Sequence, residues 1–181
     1  MIMIVLIING APRSGKDTFI NTLTWENSGK VIRCSSIDWI KQQALNLGWD
    51  GIKDAKGRQF LSDLKNACTN YADIPFKKIT ERILSSCNRY SQEAGTVYFC
   101  TCVREPEEIH KLTAWCNENK IPCHPVLIRR KMAEQKALDE GFISSGDIQF
   151  LNYPYAYTIY NDGSIENFID WIKQLMEKVS A

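Results

Sequence analysis

At 181 residues, with 22 Lys and Arg against 21 Asp and Glu and a formal net charge of +1, the chain is long enough for one domain with a full core. That balance gives no general attraction to nucleic acid or to an anionic membrane, so any anion site has to be local. Seven cysteines, an odd number, without an export signal read as reduced thiols of a cytoplasmic protein.

The first strand is expected over Met1 to Ile8. This apolar run is too short to cross a bilayer, has no basic residues before it and meets a Gly- and Pro-containing turn, so it reads as a buried strand rather than a signal. A helix follows over Lys16 to Leu23, then a strand over Lys30 to Cys34. Three helical patterns come next, at Ile37 to Leu47, Arg58 to Asn70 and Phe76 to Tyr90. A strand over Thr96 to Val103 leads to a helix over Pro106 to Glu118, and a strand over His124 to Ile128 leads to a helix over Arg130 to Glu140. The last strand, Tyr155 to Tyr160, precedes a well-marked helix over Ser164 to Val179. There Asp162-Gly163 makes a turn, Ser164 can cap, and Phe168, Ile169, Ile172, Leu175, Met176 and Val179 share one face. Strands alternating with helices predict an α/β domain with a parallel sheet covered on both faces. No repeat, linker or low-complexity segment interrupts residues 1–181, which read as a single domain.

Zinc is a poor reading of the cysteines. Cys100-x-Cys102 has the wrong spacing for a knuckle, and Cys116, Cys123 and His124 would have to join it by folding alone. Thiols packed as small apolar side chains are the simpler expectation.

The segment "GAPRSGK" after the first strand satisfies G-x-x-x-x-G-K. In that pattern Gly10 and Gly15 let the backbone curl so that successive N–H groups point at phosphate oxygens, while Lys16 supplies a charge to the β and γ phosphates. The positive end of the following helix adds to both. The residues expected to hold a nucleotide are therefore Gly10, Arg13, Ser14, Gly15, Lys16, Asp17 and Thr18. Asp17 stands where a Ser or Thr would ordinarily ligate Mg²⁺. A carboxylate oxygen is a better ligand for a hard cation, but it repels the triphosphate unless the metal lies between them. Asp17 is thus the candidate metal ligand. In the alternative it complements the helix N-terminus, and Thr18 serves the metal or a phosphate.

"SGKDT" following "NGAPR" resembles the phosphate loop of two related P-loop kinase groups, the phage-type deoxynucleoside monophosphate kinases and the animal-type phosphomevalonate kinases, which carry Gly-Lys-Asp. "SSIDWIKQQAL" is similar to the segment that leads into their lysine-bearing helix, here with Lys41. "VYFCTCVREPEEI" resembles their strand ending in Asp-x-Arg, here with Arg104 and Glu108. "IRRKMAEQKALDEGF" resembles their arginine-bearing lid, and "YTIYNDGSIENFIDWI" their last strand and helix. The resemblance implies a P-loop NTPase three-layer sandwich with a five-stranded parallel sheet and a small helical lid inserted at about 129–152. It also implies an ATP- and Mg²⁺-dependent nucleoside monophosphate kinase-like transferase. One departure stands out, because Cys102 occupies the place of the aspartate in Asp-x-Arg. A neutral thiol cannot replace a hard oxygen ligand, so either Asp17 takes over the metal role or turnover is weakened.

Phosphoryl transfer needs a phosphate cradle, a metal and several fixed cations, with little call for a covalent nucleophile. The expected catalytic residues are Lys16, Arg104, Arg129 and Arg130. Arg104 lies past the carboxyl end of a core strand, the edge where open α/β sheets bind ligands, and so suits an acceptor phosphate. The alternative pairs it with Glu107 or Glu108 on its own helix. Lys41 and Arg58 could complete the acceptor pocket, although basic residues on amphipathic helices commonly face solvent. Arg129 and Arg130 would close with the lid over the phosphates. Asn161 and Asp162 could line the adenine side, or simply form the turn before the last helix. The expected partner is a small-molecule phosphate acceptor, first a deoxynucleoside or nucleoside monophosphate and second phosphomevalonate, with no nucleic acid and no membrane. The competing reading is a degenerate nucleotide-binding protein. A GTPase is disfavoured, since neither Asn-Lys-x-Asp nor a strand-end Asp-x-x-Gly is present. The oligomeric state is left open by the sequence.

Overall fold

A strand buried on both faces has to be apolar at every position, and β1 (Ile2–Asn9) meets that demand, with every residue after Ile2 buried. The computed structural model describes residues 2–27, 30–139 and 149–180. In chain order the elements are β1, α1 (Lys16–Glu26), β2 (Val31–Ser35), α2 (Asp38–Asn46), α3 (Ala55–Ala72), α4 (Ile74–Tyr90), β3 (Thr96–Cys102), α5 (Pro106–Glu118), β4 (Cys123–Arg129), α6 (Lys131–Asp139), a 3-10 turn (Gln149–Asn152), β5 (Tyr157–Tyr160) and α7 (Ile165–Ser180). Two compact units are formed, residues 1–33 with 90–181, and residues 34–89.

The sheet is five-stranded and parallel, in the order β2-β3-β1-β4-β5. Ile2 to Ile7 of β1 register with Thr96 to Thr101 of β3, and Val5 to Asn9 register with Cys123 to Leu127 of β4. From β1 the chain crosses two places one way to β2, whereas from β3 it crosses two places the other way to β4. With the right-handed crossovers that parallel strands adopt, α1 and α5 fall on opposite faces, and a crevice is expected at the carboxyl edge beside β1. On the α1 face, Phe19 and Leu23 pack with Phe168, Ile172, Leu175 and Val179 of α7 over Ile4, Leu6, Ile8, Tyr98, Val126 and Ile128. The alternate residues Val5, Ile7 and Phe99 point the other way and are equally buried, as are Ile109 and Leu112 of α5.

The expected elements are all present, and two of the differences in their ends have local causes. α3 begins three residues before Arg58, because the Asp54 carboxylate accepts a 2.7 Å hydrogen bond from the Gly57 amide and caps the helix there. β5 starts at Tyr157, not Tyr155, because the Tyr155 amide turns back to the Tyr153 carbonyl at 3.0 Å. Within the expected lid, α6 and the 3-10 turn are present, and residues 140–148 lie outside the described residues. All seven cysteines are free thiols. Among the described residues no helix is long and apolar enough to cross a membrane, and no group of three or more His, Cys, Asp or Glu could hold a metal ion.

Candidate active site

Six residues join the end of β1 to the start of α1, and two glycines give them their path. Gly10 has φ 150° and Gly15 has φ 112°, in the region that side chains disfavour. Space is lacking as well: a Cβ on Gly10 would lie 2.4 Å from the Ile128 carbonyl oxygen and 2.5 Å from Ser14 Oγ, and one on Gly15 would lie 2.5 Å from Asn161 Nδ2. Gly10→Ala is therefore expected to destabilise the protein by about 2–4 kcal/mol, combining backbone strain with overpacking. A urea midpoint equal to that of the wild type would refute this.

Lys16, the first residue of α1, folds over the loop, its ammonium donating to the Gly10 and Ala11 carbonyls at 2.8 and 2.7 Å. Burial pushes its pKa below the ordinary lysine value. The nearby Cys102 and Asp17 act in the opposite sense, and Arg104 adds to the lowering. Ser14 is fully buried and, among the described residues, its hydroxyl has no hydrogen-bond partner.

The loop opens on a cleft of about 520 Å³ at the carboxyl edge of the sheet. Among the described residues Arg13, Lys16, Arg104 and Arg130 line it, against the one carboxylate of Asp17, with Thr18 and Ile165 also in the wall. Four cations converging on one cleft suit a polyanion. Among the described residues Arg104 makes no ion pair, and Glu108 instead reaches Lys111 at 3.9 Å. The two adjacent arginines at the end of β4 separate. Arg129 is clamped by Glu134 of α6 through two hydrogen bonds of 2.6 and 2.8 Å, while Arg130 lines the cleft and approaches the Arg13 carbonyl at 3.5 Å.

Other expected residues have partners that the sequence did not specify. The Asp17 carboxylate accepts from Arg33 of β2. Asn161, expected beside the adenine, donates from its side chain to the Ser14 carbonyl at 2.8 Å and so braces the loop, while still lining the cleft. Asp162 accepts from the Lys131 amide at 2.8 Å, capping α6. Lys41 and Arg58 belong to the unit 34–89, where Lys41 meets Asp38 at 3.1 Å and Arg58 donates to the Lys53 carbonyl at 2.9 Å.

Cys102 and Asn9 form a pairing that sequence reasoning missed. The Cys102 thiol donates to Asn9 Oδ1 at 3.5 Å, and the Asn9 amide donates to the Val103 carbonyl at 2.6 Å and to the Tyr155 hydroxyl at 2.9 Å. Burial pushes the Tyr155 phenol well above its usual pKa, so it stays neutral. The available clue was an asparagine ending an apolar strand, since a buried amide needs partners.

The residues present fit a nucleotide phosphate chain. Gly10 and Gly15 keep open a cradle that a Cβ would obstruct, the buried Ser14 hydroxyl lacks a partner, and the cations surround the cleft. The oxygens of Asp17 and Thr18 suit Mg²⁺, which commonly takes one or two protein ligands and completes its shell with phosphates and water.

No protein-family model matches the chain, and no curated protein matches its sequence. Among solved structures it is similar to dephospho-CoA kinase from Campylobacter jejuni, with a TM-score of 0.52 and 13% identity over 98% of this chain and 97% of that one. It is also similar to shikimate kinase from Aquifex aeolicus, with a TM-score of 0.50 and 14% identity over 99% of this chain and 98% of that one. At such identities the likeness concerns architecture, and the chain has the fold of the P-loop kinases.

Proposed function

We propose that the protein is an ATP- and Mg²⁺-dependent kinase that transfers a phosphoryl group to a small phosphorylated acceptor, first a deoxynucleoside or nucleoside monophosphate and second phosphomevalonate. The observation that carries this reading is the convergence of Lys16, Arg13, Arg104 and Arg130 on one cleft at the end of a glycine-shaped loop. Residues 1–181 then act as one cytoplasmic kinase domain, with about 129–152 as its lid.

In this reading the loop amides and Lys16 hold the β and γ phosphates of ATP, leaving the terminal phosphorus accessible to the acceptor. Lys16 gives up its two loop carbonyls to do so. Arg104 fixes the acceptor phosphate, and Arg130 approaches from the lid side to balance charge and limit water. Arg129 supports this from its clamp on Glu134, holding the start of α6 against the end of β4. Mg²⁺ would be held by Asp17, with Thr18 beside it, and when bound supplies charge neutralisation between the phosphates. A coupled assay of ADP release across a panel of monophosphates tests the proposal, and absence of turnover with every acceptor would overturn it.

The second reading, nucleotide binding without transfer, draws support from Cys102, whose thiol is committed to Asn9 where a carboxylate would be expected. It predicts MgADP binding without turnover in the same assay.

Asp17 offers a separate check. Asp17→Asn keeps the shape and a weak oxygen ligand but loses the charge, at about 1–2 kcal/mol for such a contact, so the Mg²⁺ concentration for half-maximal nucleotide binding should rise several-fold. Arg33→Ala removes the competing cation and should lower that concentration. If titration calorimetry finds Mg²⁺ dependence unaltered in Asp17→Asn, Asp17 is only a helix-end residue.

A further inference from the structure

The β1–β3 ladder ends with Ile7 opposite Thr101, and β3 itself ends at Cys102. Val103 and Arg104 therefore run past the last registered pair. On the other side, the β4–β5 ladder begins with Val126 opposite Tyr157, so Tyr155 lies before it. The Asn9 side chain, 1% exposed, reaches both unladdered segments, through the Val103 carbonyl and the Tyr155 hydroxyl. Its two amide hydrogens are thereby used, and its oxygen accepts from the Cys102 thiol.

The thiol matters to this arrangement. An ionised carboxylate at 102 could only accept, and it would draw the Asn9 amide hydrogens toward itself and away from Val103 and Tyr155. A weak donor at 102 leaves them where they are. Cys102 and Asn9 thus work as a pair, with the cysteine setting which way the amide points.

The phosphate loop has other supports. Asn9 is in register with Leu127 of β4, Lys16 bonds the Gly10 and Ala11 carbonyls, and Asn161 bonds the Ser14 carbonyl. Among the described residues, the restraints on the Arg104 backbone are the bond to its neighbour Val103 and the start of α5.

We infer that Asn9 is a positioning residue for the acceptor side of the site, tying the strand end that carries Arg104 to the root of the phosphate loop, with Cys102 orienting its amide. The kinetic part of this inference rests on the phosphoryl transfer proposed above, and the structural part does not.

The test is Asn9→Ala in the full chain, followed by three measurements. Acceptor kcat/KM should fall about tenfold, as expected when a phosphate-holding group is displaced, while the MgADP dissociation constant stays within about twofold. Amide hydrogen exchange should accelerate at 103–104 and remain unchanged over the loop at 10–18. Tyr155→Phe, a milder change that keeps the Val103 bond, should move the same quantities in the same direction by less, and it serves if Asn9→Ala does not fold. Equal losses of acceptor kinetics and nucleotide affinity would indicate a merely structural role and overturn the inference, as would unchanged exchange at 103–104. If the wild type turns over no acceptor, phosphoryl transfer fails, and the exchange measurement still decides the tether.

Discussion

Lys16→Ala is expected to weaken MgATP and MgADP binding by between about tenfold and a hundredfold or more, while leaving the fold intact. The ammonium bonds the loop's own Gly10 and Ala11 carbonyls, and a charge-assisted contact to phosphate contributes about 1.5–3 kcal/mol. Those two carbonyls are its partners among the described residues, so its removal is expected to leave the sheet and helix packing intact. The pH dependence follows from its burial. A lysine whose pKa is lowered below 10.5 loses its charge sooner as pH rises, and the phosphates bind the charged form. Wild-type affinity should therefore decline through the alkaline range before an ordinary lysine would titrate, and Lys16→Ala should abolish that component. Calorimetry at neutral and alkaline pH, with a melting curve as the check on folding, tests both parts. Equal affinity in wild type and variant would remove the loop from nucleotide binding.

Arg104→Ala is expected to lower acceptor kcat/KM by about ten- to a hundredfold, again from the loss of a charge-assisted phosphate contact, with only a small change in nucleotide affinity. The side chain lines the cleft and has no ion pair among the described residues, so it is available to an incoming anion. Its charge also contributes to the lowered pKa of Lys16, so removing it should raise that pKa and push the alkaline fall in nucleotide affinity to higher pH. Unchanged steady-state kinetics would exclude Arg104 from the acceptor site. A loss confined to nucleotide affinity would move it to the donor side.

These two residues were legible in the sequence because the information that places them is local. G-x-x-x-x-G-K after an apolar run specifies a turn by its glycines and sets the lysine at the start of the helix beside the cleft, and Arg104 follows a strand by two residues. The alternation of strands and amphipathic helices was likewise sufficient for the parallel sheet, because side-chain periodicity reports which faces are buried. Element ends shifted by a few residues, at Asp54 and Tyr155 because a cap and a backbone turn intervened.

What only the tertiary structure decided is how the polar side chains are shared out. Arg129 and Arg130 are adjacent and chemically identical, so nothing in their spacing says that Glu134 clamps the first and the second lines the cleft. Asp162 and Asn161, expected at the adenine side or in the turn before the last helix, also serve a helix cap and a loop brace. Asp17 meets Arg33 sixteen positions away, and Cys102 meets Asn9 across 93. Apolar burial follows a pattern that repeats every few residues and can be read along the chain. A hydrogen bond or ion pair depends on the position and direction of one particular partner, and for these residues the folded chain supplies that partner.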